Sequence, residues 1–285
     1  MILTQCAVCA TELGLTLGKK CGRCSTRYCG PECQVQHWKE GGHDQLCKPI
    51  KKAGGAEQYN ANKKYAEAVA VAAEACADDT KGQKCYICLE AVHPRSGEGL
   101  VRGCACGDRD GVASGRTGIA HVSCLAEQAK ILLAEAEENN LGTDACDERW
   151  GRWEKCSLCE QRYHGVVAHA LGWACWKTYA GRPETSILRQ AAMTELGNGL
   201  FNANHHEDAL SVFEAGLSMK RRLGASEASI LLVQSNIAGS YLMLKRFEEA
   251  NRMRRDVYSD WLELEGEEHE YTLIAANTHA NSLIE

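Results

Sequence analysis

Apolar positions recur at helical spacing in two stretches of the chain. Between Leu125 and Asn139, residues Leu125, Ala129, Leu132, Leu133 and Ala136 fall on one face, which predicts an amphipathic helix. Gly165 to Tyr179 reads as a further helix, stopped by Gly181, Arg182 and Pro183. From Met193 the pattern repeats. Leu196-Gly197 through Glu207-Asp208-Ala209 returns one period later as Ile237-Ala238 through Glu248-Glu249-Ala250, and Gly224 through Ala238 returns at nearly the same interval as Gly266 through Ala280. Each period divides into two helical stretches, 190–204 with 207–222 and 229–244 with 248–264, followed by a lone helix over 270–284. A repeat of this length is the signature of stacked helix pairs, in which each neighbour buries the other's apolar face.

Outside 125–139, the chain up to Cys159 carries little of this periodicity. Ala56 to Ala77 is rich in Ala, Glu and Lys and has no Pro, so intrinsic propensity predicts a helix there, read as a spacer. The remainder is organised by cysteine. A first series runs Cys6-x2-Cys9, Cys21-x2-Cys24, Cys29-x3-Cys33 and His43-x3-Cys47; a second runs Cys85-x2-Cys88, Cys104-x-Cys106, His121-x2-Cys124 and Cys156-x2-Cys159. A gap of two residues lets both side chains of a pair reach one ion, and four sulfur or nitrogen ligands close a tetrahedron around structural zinc. Eight pairs predict about four zinc ions per chain, two in each series. Such closed sites hold a fold and do no chemistry. Cys76, Cys146 and Cys175 have no partner at ligand spacing and read as ordinary buried or half-buried thiols.

Composition decides between metal and disulfides. Seventeen cysteines in 285 residues suit either, but the N-terminus has no basic stretch followed by an apolar core, and Cys6 leaves no room for a removable signal. The cytoplasm or nucleus is expected, and with it metal. No apolar run approaches the roughly 18 residues that span a bilayer, so no membrane association is expected. Residues 1–52 carry eight Lys and Arg against four Asp and Glu, which suggests a basic head. Seven thiolates and two zinc ions reduce that excess to about +1. Nucleic acid is therefore not an expected partner.

At residues 6–47 the spacing, with Tyr28 before Cys29 and the run Cys33-Gln34-Val35-Gln36-His37-Trp38, resembles a MYND-type zinc finger. The resemblance implies interleaved pairing: Cys6, Cys9, Cys29 and Cys33 on one zinc, Cys21, Cys24, His43 and Cys47 on the other, with His37 at a position that is not normally a ligand. In the second series Cys is fourth and His fifth, and the gap between them is long, Cys106-x14-His121. With Cys104-Ala105-Cys106-Gly107 and His121-Val122-Ser123-Cys124-Leu125, this segment resembles a RING-CH (RING-variant) domain. The implied quartets are Cys85, Cys88, His121 and Cys124, and Cys104, Cys106, Cys156 and Cys159. The repeats resemble tetratricopeptide repeats of the kinesin-light-chain-like type, carried by Ser235-Asn236-Ile237-Ala238 and Tyr241. Asn236 stands where such repeats often carry a peptide-contacting Asn, while Glu195 and Thr278 stand at the equivalent places.

The expected fold is multi-domain: two small, irregular zinc cross-brace modules with few short strands and helices, plus an all-α helical-repeat C-terminal region. The expected division is 1–52, MYND finger; 53–82, helical linker; 83–165, RING-CH-like zinc domain with an inserted helix; and 166–285, helical, with repeats from about 190. The resemblance implies a RING-type ubiquitin ligase that binds a ubiquitin-conjugating enzyme through the RING-CH module. The finger and repeats would then recruit substrate proteins or peptides. Ile87 and Leu158 are the expected contacts for the enzyme and Asn236 for peptide; no residue is assigned a catalytic role. Gln128 stands where a Trp often follows the His-x2-Cys pair, and Ser157-Leu158 supplies no Pro. These departures support the alternative, a non-catalytic zinc-stabilised adaptor.

Overall fold

A computed structural model describes residues 5–14, 17–106 and 118–281. Gly107 and residues 282–284 of the last expected helix lie outside the described residues. The finger opens with a hairpin, β1 (Lys19–Lys20) against β2 (Arg27–Tyr28), in antiparallel register Lys19↔Tyr28. Two helices follow, α1 (Pro31–Lys39) and α2 (His43–Lys52). Pro31 begins α1, where its missing N–H is not needed. A small core of Leu13, Tyr28, Ile50 and Ala56 packs among the finger's cysteines.

The stretch read as a spacer is a helix, α3 (Ala56–Ala75), and it is packed rather than free. Its Ala61, Ala68, Val69 and Ala72 join a continuous core that extends to Ile237. The second zinc unit contributes β3 (Val101–Arg102), β4 (Ile119–Ala120), α4 (Val122–Glu138) and α5 (Thr143–Trp150), with a 3-10 turn at Gly151–Trp153. The periodicity at 125–139 locates α4, whose Leu125, Ala129, Leu133 and Ala136 are buried. Its earlier start, at Val122, has a physical cause: the Glu98 carboxylate accepts the Ser123 N–H at 2.8 Å and satisfies one of the free donors of the first turn.

The centre of the molecule is α6 (Gly165–Tyr179). Val167, Leu171, Trp173, Trp176 and Tyr179 are buried on different sides of it, so it has no solvent face of the usual amphipathic kind. It packs against α3, α4 and the next helix, α7 (Ile187–Asn202). The contact with α7 is close because glycines meet there: a Cβ on Gly172 would lie 3.3 Å from the Leu196 Cα, and one on Gly199 would lie 2.7 Å from the Ala168 carbonyl oxygen. Arg189 of α7 holds α3 in the same body, donating to both carboxylate oxygens of Glu57 at 2.9 Å.

The repeat region continues as α8 (His206–Arg222), α9 (Glu227–Met243), α10 (Phe247–Glu265) and α11 (Glu270–Asn281), each packed on its predecessor. Leu231, Val257, Trp261 and Ala275 form a separate small core between α9, α10 and α11. The fold is thus zinc-ligand clusters with few short strands toward the N-terminus and a helical-repeat region toward the C-terminus. Among the described residues no helix is long and apolar enough to cross a membrane.

The α6–α7 crossing gives a direct test. Gly199→Ala places a methyl group against backbone that cannot turn aside, and should lower unfolding free energy by roughly 1–3 kcal/mol, read as a lower chemical-denaturation midpoint with the zinc content unchanged.

Candidate metal centres

Four backbone turns of one design carry eight of the metal-facing cysteines. In each, the peptide N–H four residues after the first cysteine returns to that cysteine's carbonyl: Ala10 to Cys6 at 3.1 Å, and Ser25 to Cys21, Leu89 to Cys85 and Glu160 to Cys156 at 2.9 Å. The first cysteine's own N–H then donates to the carbonyl five residues on, at Thr11, Thr26, Glu90 and Gln161. Closing so tight a loop forces the residue after the second cysteine into the left-handed region, with φ of 57° at Ala10 and Glu160 and 63° at Ser25 and Leu89. None of these is glycine, so each turn carries a cost of about 1–2 kcal/mol, set against the hydrogen bonds and the ion.

The turn also aims N–H groups at sulfur. Ile87 and Cys88 donate to the Cys85 Sγ at 3.4 and 3.5 Å, and Leu158 donates to the Cys156 Sγ at 3.4 Å. Two side-chain hydroxyls add to the pattern: Thr11 Oγ1 lies 3.0 Å from the Cys9 Sγ and Thr26 Oγ1 3.1 Å from the Cys24 Sγ. The sequence carries a signal for these, a Thr two residues after the second cysteine of both pairs, which the spacing of the cysteines alone does not use.

The sixteen ligand candidates come together as four quartets: Cys6, Cys9, Cys29 and Cys33; Cys21, Cys24, His43 and Cys47; Cys85, Cys88, His121 and Cys124; and Cys104, Cys106, Cys156 and Cys159. Within each quartet the donor atoms lie within 4.8 Å of one another. Two sulfurs about 2.3 Å from a common tetrahedral ion stand about 3.8 Å apart, and a sulfur and an imidazole nitrogen about 3.6 Å. The observed edges match: 3.5 Å for Cys9–Cys29, 3.8 Å for Cys21–Cys47 and 3.6 Å for Cys106–Cys156. His43 presents Nε2 to the Cys24 sulfur at 3.5 Å, whereas His121 presents Nδ1 to Cys88 at 3.4 Å. His37 is in no quartet, and its Nδ1 lies 3.0 Å from the Tyr28 hydroxyl instead.

Electrostatics fit a cation at each centre. The first cysteine of every turn is held below the ordinary thiol value of 9.0. For Cys156 the Cys104 thiol and the peptide N–H groups of Leu158 and Cys159 outweigh burial and bring it to about 5. Cys21 is brought to about 6 against the opposing effect of burial, by the His43 ring and the N–H groups of Arg23 and Cys24. Two later members of the quartets go the other way: the neighbouring thiol of Cys29 pushes Cys33 up to about 12, and burial pushes Cys47 up to about 11. Thiols this crowded cannot all ionise together on their own. A divalent ion removes the conflict by compensating the charge of every thiolate. Four such clusters accord with about four zinc ions per chain.

The expected partner contacts are placed unevenly. Ile87 and Leu158 are each 37 % exposed, and both hold the third position of their turn, where the N–H faces sulfur and the side chain faces out. Their loops adjoin, with the Tyr86 hydroxyl 3.1 Å from the Ser157 hydroxyl. Leu89 and Val92, which the spacing does not single out, are also exposed, at 66 % and 58 %. Asn236 lines a groove of about 260 Å³ between α9 and α11 together with Thr278, Tyr271 and Ile274. Glu195 does not share that environment. It is buried, because α6 covers this face of α7, and burial beside Glu154 pushes its carboxyl well above the usual range. Cys76 and Cys175 are buried and Cys146 half-buried, outside every quartet.

Two outcomes follow from the turns. Leu89→Val puts a β-branched side chain at a φ of 63° and should cost about 1–2 kcal/mol, whereas Leu89→Gly should cost nothing in the same denaturation assay. The lowered Cys21 and Cys156 thiols favour the folded, metal-ready state fully above their unfolded value of 9.0 and lose that contribution as pH falls through about 6 and then 5. Zinc, which binds the deprotonated thiolates, should be retained at neutral pH and released on acidification, read by a zinc-responsive dye.

Residues 6–47 match the family model of the MYND finger, which spans the first two quartets. Comparison of the chain with curated proteins gives no match. A MYND finger is a zinc-binding protein-interaction module, and protein partners are the function class that this match supports.

Proposed function

We propose that the chain is a RING-type ubiquitin ligase in which the second zinc unit receives a ubiquitin-conjugating enzyme while the finger and the repeats recruit substrate. The observation that carries this reading is the pairing of Ile87 and Leu158. Two zinc turns from distant parts of the sequence sit side by side, bridged by Tyr86 and Ser157, and each turns one apolar side chain outward. Surfaces of this kind bury well against a partner and have no evident role in the isolated chain.

The chemistry asked of this chain is orientation. A thioester-linked ubiquitin held with restricted motion reacts faster with an incoming amine, because the entropic part of the barrier has already been overcome. Closed zinc sites supply rigidity and no reacting group. On the finger, Val35 and Trp38 stand exposed on the same side of α1, and in the repeats the groove beside Asn236 is open. Both suit protein or peptide substrates.

One observation favours a non-catalytic adaptor. Gln128 faces Tyr86, its side-chain oxygen 3.5 Å from the hydroxyl, so the first turns of α4 offer the partner a polar contact in place of a large apolar one. Discharge of ubiquitin from a charged conjugating enzyme separates the two. The ligase reading expects acceleration by the purified protein and a loss of about tenfold, or about 1.4 kcal/mol, in Ile87→Ala or Leu158→Ala. Absence of acceleration across a panel of conjugating enzymes would leave the adaptor.

A further inference from the structure

The four quartets differ in their access to solvent. The quartet with His43 is wholly buried, and in the other two of residues 85–159 a single member each, Cys88 or Cys159, is half-buried. The first quartet reverses this: Cys9 and Cys29 are exposed, Cys33 is half-buried and only Cys6 is buried. Its three accessible sulfurs are close neighbours, with Cys9–Cys29 and Cys29–Cys33 at 3.5 Å and Cys9–Cys33 at 3.8 Å. Zinc-bound thiolates react with small oxidants according to their exposure.

The first quartet is also peripheral. Among the described residues, the one backbone hydrogen bond from 5–12 to the rest of the finger runs from the Ala7 N–H to the Arg27 carbonyl. The finger's core takes in Cys21, Cys24 and Cys47 of the second quartet but only Cys6 of the first, with Cys33 packed at its edge and Cys9 and Cys29 outside it. Gln5 and Glu12, which flank the first turn, form an edge of a cleft of about 520 Å³ whose other walls come from α3, α6 and α8, including Val71, Trp173 and Leu210.

We infer that Cys9 and Cys29 form a peroxide-sensitive modification site, and that its oxidation releases one zinc and frees residues 5–12 from the edge of this cleft while the other three ions stay. This rests on the reading that the quartets hold zinc. The co-reactant is a peroxide. One thiolate attacks the peroxide, breaking the O–O bond and becoming a sulfenic acid, while the departing hydroxide takes a proton to form water. The second thiolate attacks that sulfur, the S–S bond forms, and the hydroxide lost takes a second proton. Two electrons pass from two sulfurs to one peroxide, and zinc is left with two thiolate ligands in place of four and dissociates.

The test begins with metal analysis of the native full chain. Fewer than four zinc ions would overturn the ligand assignment itself, a failure distinct from any failure of the oxidation step. Protein carrying four is then treated with hydrogen peroxide in the presence of a zinc-responsive dye, and the thiols are blocked and mapped by mass spectrometry. The expected result is one zinc released about tenfold faster than the remainder, with the first disulfide joining Cys9 to Cys29, unchanged helical circular dichroism, and faster amide exchange in residues 5–12. Thiol reductant with added zinc should restore the starting state. Release of all four ions in one phase, a first disulfide other than Cys9–Cys29, or no release at all would overturn the proposal.

Discussion

The interaction on which the remaining structure depends is the peptide N–H aimed at a cysteine sulfur inside a closed turn. It recurs around Cys85 and Cys156, and at Cys6 and Cys21 the neighbouring peptide N–H groups likewise hold the thiol down. Each turn needs a left-handed residue and stabilises a thiolate, and the turns at Cys85 and Cys156 also send the side chain of their third residue outward. Metal affinity and the outward apolar surface are therefore one geometric event. The exposure of Ile87 and Leu158 follows from where their own N–H groups must point, and no separate device is needed to display them.

Ligand chemistry is legible in the sequence because it is local. The gaps within pairs, the interleaved order and the identity of the quartets can all be read from spacing and from resemblance, and the structure gathers the same sixteen side chains. The helices at 125–139 and beyond 190 are legible for a similar reason, since a buried stripe repeats every turn, and 165–179 is marked by the Gly181-Arg182-Pro183 stop that follows it. Spacing does not supply the company each element keeps. An Ala-rich stretch such as 56–75 reads alike whether solvated or packed, because alanine is a good helix former in both settings. Only the partners reveal the difference: Arg189 on Glu57, Lys177 accepting a hydrogen bond at its carbonyl from Gln58, and the alanines beneath.

Glu195 makes the same point at a single residue. Its place in the repeat suggests an open groove, yet α6 occupies that side of α7 and leaves the acid buried. Positional equivalence within a repeat holds only where neighbours are also equivalent, and the first repeat has α6 as its neighbour where the second has α8. The paired glycines at the α6–α7 contact are the visible cause, since they allow an approach that larger side chains would prevent.

That central helix bears on how the chain can be divided. The stretch that ends at Gly165 contains every cysteine and histidine of the four quartets, and a fragment stopping there would look complete to anyone counting ligands. It would still lack Val167, Leu171, Trp173 and Trp176, which form part of the wall against which α3 and α4 rest. Such a fragment would keep its metal chemistry and expose a raw apolar flank, an invitation to aggregate. The zinc unit and the first repeats are better regarded as a single piece of architecture with one shared partition.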